Sequence, residues 1–188
     1  EKDQKLIAKA NELLMSGDYN ATLKFLTTIK GSKDSEKFSK VEASAYFNQG
    51  WDLLELSKTQ SGKKQQNSLK QAIKSYQQAI KARPNMGEAF VNLGSALISL
   101  GKTQSGEKQK NSFKQAIEKS RAALKIMPGF HVAVFNMACV EALKGNEADC
   151  RKWLEKRLKA GPLSEKNKND SDFDSVRDKA WFKKLVKG

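Results

Sequence analysis

The sequence predicts an all-α protein built from stacked helix pairs, and three observations carry that expectation. One stretch of chain is written twice: Thr59 to Ile73 reads TQSGKKQQNSLKQAI and Thr103 to Ile117 reads TQSGEKQKNSFKQAI, identical at 12 of 15 positions. The same offset of 44 residues relates Asn48 to Asn92, Gly50 to Gly94, Leu53 to Leu97, Ala79 to Ala123 and Pro84 to Pro128. Between these markers lie helix formers with almost no β-branched alternation, and only 3 prolines and 12 glycines interrupt 188 residues. A fixed period of this length in helix-forming sequence marks helical repeats that stack on their neighbours.

Taken in chain order, a divergent first unit over 3–36 carries Ala10, Leu13, Gly17, Tyr19, Leu23 and Leu26 in the run LIAKANELLMSGDYNATLKFL. The second, over 43–86, has Tyr46, Gly50, Leu53, Ala72, Tyr76, Ala79 and Pro84. The third, over 87–130, repeats this with Phe90, Leu93, Gly94, Leu97, Ala116, Ala123 and Pro128, but has Ser120 where the second aromatic belongs. The fourth, over 131–164, has Ala138, Gly145, Cys150, Leu154 and Pro162. Gly50 to Ala72 and Gly94 to Ala116 are each 22 residues, whereas Ala138 to Cys150 is 12. The extra ten residues therefore fall between the two helices of the middle units, roughly Leu56 to Ser68 and Gly101 to Ser112. They are expected as a lengthened first helix or a polar loop, with Gly62 and Gly106 at the turn. In the closing stretch, Asp172 and Asp178 are placed to cap a short helix at Phe173 to Arg177 and a last one at Lys179 to Val186.

The order of an aromatic, a small residue four later, a large apolar residue three later, and then Ala, aromatic, Ala and Pro resembles the tetratricopeptide-repeat (TPR) signature, whose period is about 34. The tail, ACVEALKGNEADCRKWLEKRLKAG followed by DSDFDSVRDKAWFKKL, is similar to the closing segment of many bacterial TPR proteins. The resemblance implies a right-handed superhelical solenoid of about four helix pairs, one domain over 1–188, with a polar cap at 165–188. It also implies a non-enzymatic scaffold or adaptor that holds a peptide or protein segment in a concave groove.

Composition narrows the remaining classes. Lys and Arg total 35 against 21 Asp and Glu, a formal charge of +14 with a pI near 9.7, so an acidic or anionic partner has a long-range advantage. The longest charge-free stretch, Ile126 to Val140, contains Pro128, Gly129 and Asn136 and falls short of the ~20 apolar residues of a membrane span. No charged-then-apolar leader precedes Glu1. The expectation is a soluble protein, cytoplasmic or, after removal of an export signal, periplasmic. Two cysteines and one histidine make no zinc-spaced set, so neither metal nor cofactor is expected. Cys150 falls at a small packing position and Cys139 beside another; a disulfide between them remains open. His131 begins a helix, and no hydrolase, P-loop, metalloprotease or dinucleotide motif occurs, so catalysis is not expected.

Asn48, Asn92 and Asn136 recur every 44 residues, each two before the small residue of its helix. Asparagine is a poor helix former, so its recurrence has two readings. In TPR proteins that bind extended peptides, asparagines at this place line the concave surface and bond the ligand backbone; alternatively these bond only a neighbouring helix. The same inner face would present Phe47, Trp51, Leu54, Val91, Ile98 and Phe135, with Trp51 as the anchor. The basic clamp for a terminal carboxylate is not matched, since Ile7 and Glu88 stand where lysine belongs. Positive charge gathers instead in the insertions and second helices, at Lys63, Lys64 and Lys70 and again at Lys108, Lys110 and Lys114. These form a solvated face or a dock for an anionic membrane, nucleic acid or acidic protein. A secretion chaperone with TPR repeats is a further alternative.

Overall fold

A computed structural model describes residues 2–29 and 35–187. The end of the first expected repeat (30–34), Glu1, and residue 188 of the expected cap lie outside the described residues. All regular structure among the described residues is helical: α1 (Lys2–Met15), α2 (Tyr19–Thr28), α3 (Ser35–Lys58), α4 (Gly62–Ala82), α5 (Gly87–Lys102), α6 (Gly106–Ile126), α7 (His131–Leu143), α8 (Glu147–Leu158), α9 (Glu165–Lys168), a 3-10 turn at Ser171–Phe173 and α10 (Ala180–Lys187). None of these helices is long and apolar enough to cross a membrane. The chain divides into two compact units, Glu1–Ala96 and Leu97–Gly188.

In the first unit α1, α2 and α3 enclose Ala10, Leu26 and Val41, backed by Leu14, Phe25, Ile29 and Phe38. The α1–α2 turn follows from its residues. Gly17 takes φ of 78°, open to glycine at little cost, and the Asp18 carboxylate then accepts from Ala21 N at 2.9 Å to start α2. α3 and α4 pack along most of their length, burying Leu69, Ala72, Tyr76 and Ala79. Polar side chains tie three helices together: Gln49 Nε2 donates to Asn20 Oδ1 at 3.1 Å, and Ser75 Oγ donates to Gln49 Oε1 at 2.9 Å.

In the second unit α7 is enclosed on every side, with each residue from Ala133 to Ala142 buried. α6 and α8 flank it, and the C-terminal segment lies across it. That segment sets Phe173, Val176 and Phe182 in the core and donates Ser175 Oγ to Ala142 O at 2.9 Å. The chain there departs from the expected caps. Asp170, not Asp172, caps the 3-10 turn by accepting from Asp172 N, and residues 174–178 form turns where the sequence predicts a helix.

The ten extra residues of the middle repeats are helix rather than loop. α4 and α6 are each 21 residues against 12 for α8, and only 59–61 and 103–105 connect them to the preceding helices. Both connections are locked in the same way, with one bond more in the second, where Gln109 Nε2 also donates to Gln104 O at 3.0 Å. Gln65 Nε2 reaches back to Ser57 O at 3.2 Å and Ser68 Oγ donates to Gln60 Oε1 at 2.7 Å. Forty-four residues on, Gln109 Nε2 reaches Gly101 O at 3.1 Å and Ser112 Oγ donates to Gln104 Oε1 at 2.7 Å. Each glutamine thereby adds a second donor to a helix-end carbonyl that the backbone N–H of Gln60 or Gln104 already reaches.

Candidate interaction site

α3 organises the surface of the first unit around a close approach. Gly50 is buried, and a Cβ there would stand 2.9 Å from Tyr76 Cε1, so the missing side chain is what lets α4 come in. Phe47, almost one turn earlier, meets the Tyr76 ring edge-on with centroids 5.8 Å apart. Tyr76 is fully buried and its hydroxyl has no hydrogen-bond partner among the described residues. Burial holds the phenol well above its usual pKa; the neighbouring Asn92 amide lessens that rise without reaching hydrogen-bond geometry.

Asn48 and Trp51 stand on the adjoining face of α3. Residues three apart on a helix are surface neighbours. Trp51 is 48% exposed, one of three large apolar side chains so placed among the described residues, with Met15 and Leu56. The half-buried Asn48 amide makes no hydrogen bond among the described residues, and the Lys58–Glu55 ion pair continues the same face toward the end of the helix.

The other residues expected in a groove are placed differently. Leu54, Val91 and Ile98 are buried packing residues with almost no surface for a ligand. Asn136 is buried, and Phe135 is covered by Phe173 of the C-terminal segment, ring centroids 5.5 Å apart. One register of asparagines thus occupies three environments: an open amide at 48, a neighbour of a buried phenol at 92, and a core position at 136. Of the basic residues, Lys63, Lys64 and Lys70 are exposed on α4, and Lys108, Lys110 and Lys114 on α6; Lys110 pairs with Glu107 at 2.7 Å.

Two features escaped the sequence reading. One is the Gln/Ser lock, although the near-copied segment was its visible signal. The other is a polar cluster under the C-terminal segment, where the Lys102 ammonium pairs with the Asp172 carboxylate. Burial raises the Asp172 pKa and Lys102 offsets part of that rise. For Lys102 burial is the largest influence and acts downward, yet the bond to Asp172 together with the charges of Asp172 and Asp170 outweighs it and the ammonium is held above its usual pKa. Cys139, Asp170 and Asp172 bring ligand-capable atoms within 4.8 Å of one another, and the positive charge facing them is that of Lys102. Both cysteines are free and buried, and burial pushes both thiols up, Cys150 to about 12.

A family model described as TPR repeat matches residues 63–101, the span holding α4 and most of α5. A solved structure of a thermophilic TPR protein from Thermus thermophilus is similar in fold, with a TM-score of 0.54 at 16% identity, over 84% of this chain and 74% of that one. Residues 63–101 match a TPR repeat, and the fold is similar to that of a TPR protein. No curated protein matches it in sequence. A TPR fold supports a protein–protein interaction scaffold in general terms; what this chain does must be argued from its own residues.

Proposed function

We propose that this TPR protein is a non-enzymatic scaffold that takes an extended segment of a protein client on the outward face of α3, with Trp51 as the anchor and Asn48 as a reader of the client backbone. What supports this is the pairing of a half-exposed tryptophan with an uncommitted amide one turn away on a rigid helix. A tryptophan supplies large contact area at low entropic cost, and such residues dominate binding energies at interfaces. A neutral amide both donates and accepts, as the backbone of an extended peptide requires, and so registers a peptide without reading its sequence. The buried members of the register contribute by holding the helices, not by touching the client.

Selection of binders from a random peptide library against the full chain, followed by titration of variants, tests this. Trp51→Ala should weaken the selected peptides by about 2 kcal/mol, roughly 30-fold. Asn48→Ala should cost about 1 kcal/mol, the net worth of one neutral hydrogen bond. Both substitutions should leave the melting temperature nearly unchanged. Binders indifferent to both changes would place the client elsewhere.

A further inference from the structure

The two corresponding helices differ in how their charges are arranged along one face. On α4, Lys63, Lys70, Lys74 and Lys81 are spaced 7, 4 and 7 residues apart. At 3.6 residues per turn these positions fall within about 40° of one another, a single straight stripe about 27 Å long. All four are exposed, none is in an ion pair among the described residues, and α4 contains no carboxylate. Asn67 and Gln77 fill the stripe between them. The equivalent positions on α6 are Glu107, Lys114, Glu118 and Lys125, where the signs alternate along the stripe, and the remaining cations of α6, Lys108, Lys110, Lys119 and Arg121, lie off it. Helix formation does not account for the difference, since α6 folds with the mixed pattern.

From this we infer that the outer face of α4 is a docking surface for the phosphodiester backbone of duplex nucleic acid. A line of cations interleaved with amides suits a regular line of phosphates and sugar oxygens, the contacts that position a protein on a duplex without reading bases. Duplex DNA presents one charge per about 1.7 Å of axis, so a stripe of about 27 Å spans the rise of roughly eight base pairs and meets the phosphates of both strands that face it. Single strands are disfavoured, since they need aromatic platforms and the one aromatic of α4, Tyr76, is buried. A bilayer is disfavoured too. None of the exposed large apolar side chains lies on α4 to enter the acyl region. This surface is distinct from the proposed client face on α3, so either can fail alone.

The test is fluorescence anisotropy of the full chain with a labelled DNA duplex of ~20 base pairs over a salt series. Four phosphate contacts contribute a slope of about −3.6 in log K against log salt, or about 150-fold between about 50 and 200 mM. Lys63→Glu with Lys74→Glu, which copies the pattern α6 already carries, should flatten the slope by about 2 and weaken binding more than tenfold, with helicity and melting temperature retained. Lys184→Glu with Lys187→Glu changes net charge equally and should cost less than about threefold if the stripe is the site. Glu107→Lys with Glu118→Lys should add affinity by giving α6 a stripe of its own. Equal losses in the two double-Glu variants would overturn the proposal, leaving only net charge. So would competition by polyglutamate as effective as unlabelled duplex, or stripe-dependent binding to phosphatidylserine vesicles in preference to duplex.

Discussion

Lys102 and Asp172 show how a single pair can govern the second unit. Asp172 is nearly enclosed, Lys102 is 39% exposed, and the two meet beneath the C-terminal segment. Removing the cation leaves a buried carboxylate without its counter-charge, so Lys102→Met should destabilise the protein by about 2 kcal/mol near neutral pH, discounted for the part of the pair that water reaches. The pH dependence has a definite sign. Asp172 in the folded chain has a pKa above its ordinary 3.8, so the native state holds the proton more tightly and this group's contribution to stability falls as pH rises through that window. Without Lys102 the pKa rises further, so the Lys102→Met deficit should shrink on acidification toward about pH 4.5 as the carboxyl is neutralised. Urea denaturation at both pH values checks this; a deficit that grows in acid would contradict it. Asparagine is the counter-example in legibility: Asn48, Asn92 and Asn136 are equivalent in sequence, yet Asn48 stands beside the exposed Trp51, Asn92 beside the buried Tyr76 phenol and Asn136 in the core.

The helical hairpins of the middle repeats owe their tight tips to side chains acting on backbone. Gly62 and Gly106 open α4 and α6 with φ of 56° and 58°, a left-handed turn that glycine enters without strain, and the glutamine that follows closes the connection. Gln65→Ala removes one side-chain bond to the connection and Gln109→Ala removes two, to Gly101 O and Gln104 O, so the first should cost about 1 kcal/mol in chemical denaturation and the second somewhat more. Amide exchange of the 59–61 or 103–105 connection should quicken only in the unit altered. A Gln109→Ala cost smaller than that of Gln65→Ala would contradict the two bonds Gln109 makes. The lengths of these helices could be bounded but not decided from spacing, because Leu56 to Ser68 is compatible with either helix or polar loop until Ser57 and Gln65 are seen to meet. The enclosure of α7 had a clearer signal. A helix apolar all round, with Glu141 its one charge, must be covered on all sides, and Phe173 and Phe182 supply the side that no repeat covers.

Both cysteines lie in the second unit, so its opening can be followed by thiol chemistry. Thiolate is the reactive form, and burial suppresses it at Cys139 and Cys150 alike. Neither should react with an aromatic disulfide reagent under native conditions, and both should react once the chain is denatured. Phe173→Ala, which uncovers Phe135 on the helix that carries Cys139, should open Cys139 to labelling well before Cys150; a native thiol that reacts at once would refute the burial of that residue. From the repeat of Tyr46, Gly50, Ala72, Tyr76 and Pro84 at a fixed offset, the helical class and the repeat family were legible, because close packing between helices demands small and large residues at fixed places whatever surrounds them. Which face is free was not legible. Leu54, Val91, Ile98 and Phe135 are as apolar as Trp51, and only the arrival of residues distant in sequence, such as Phe173 over Phe135, separates what is covered from what is left to meet a partner. Exposure belongs to the assembled fold, since burial depends on neighbours that local pattern does not name.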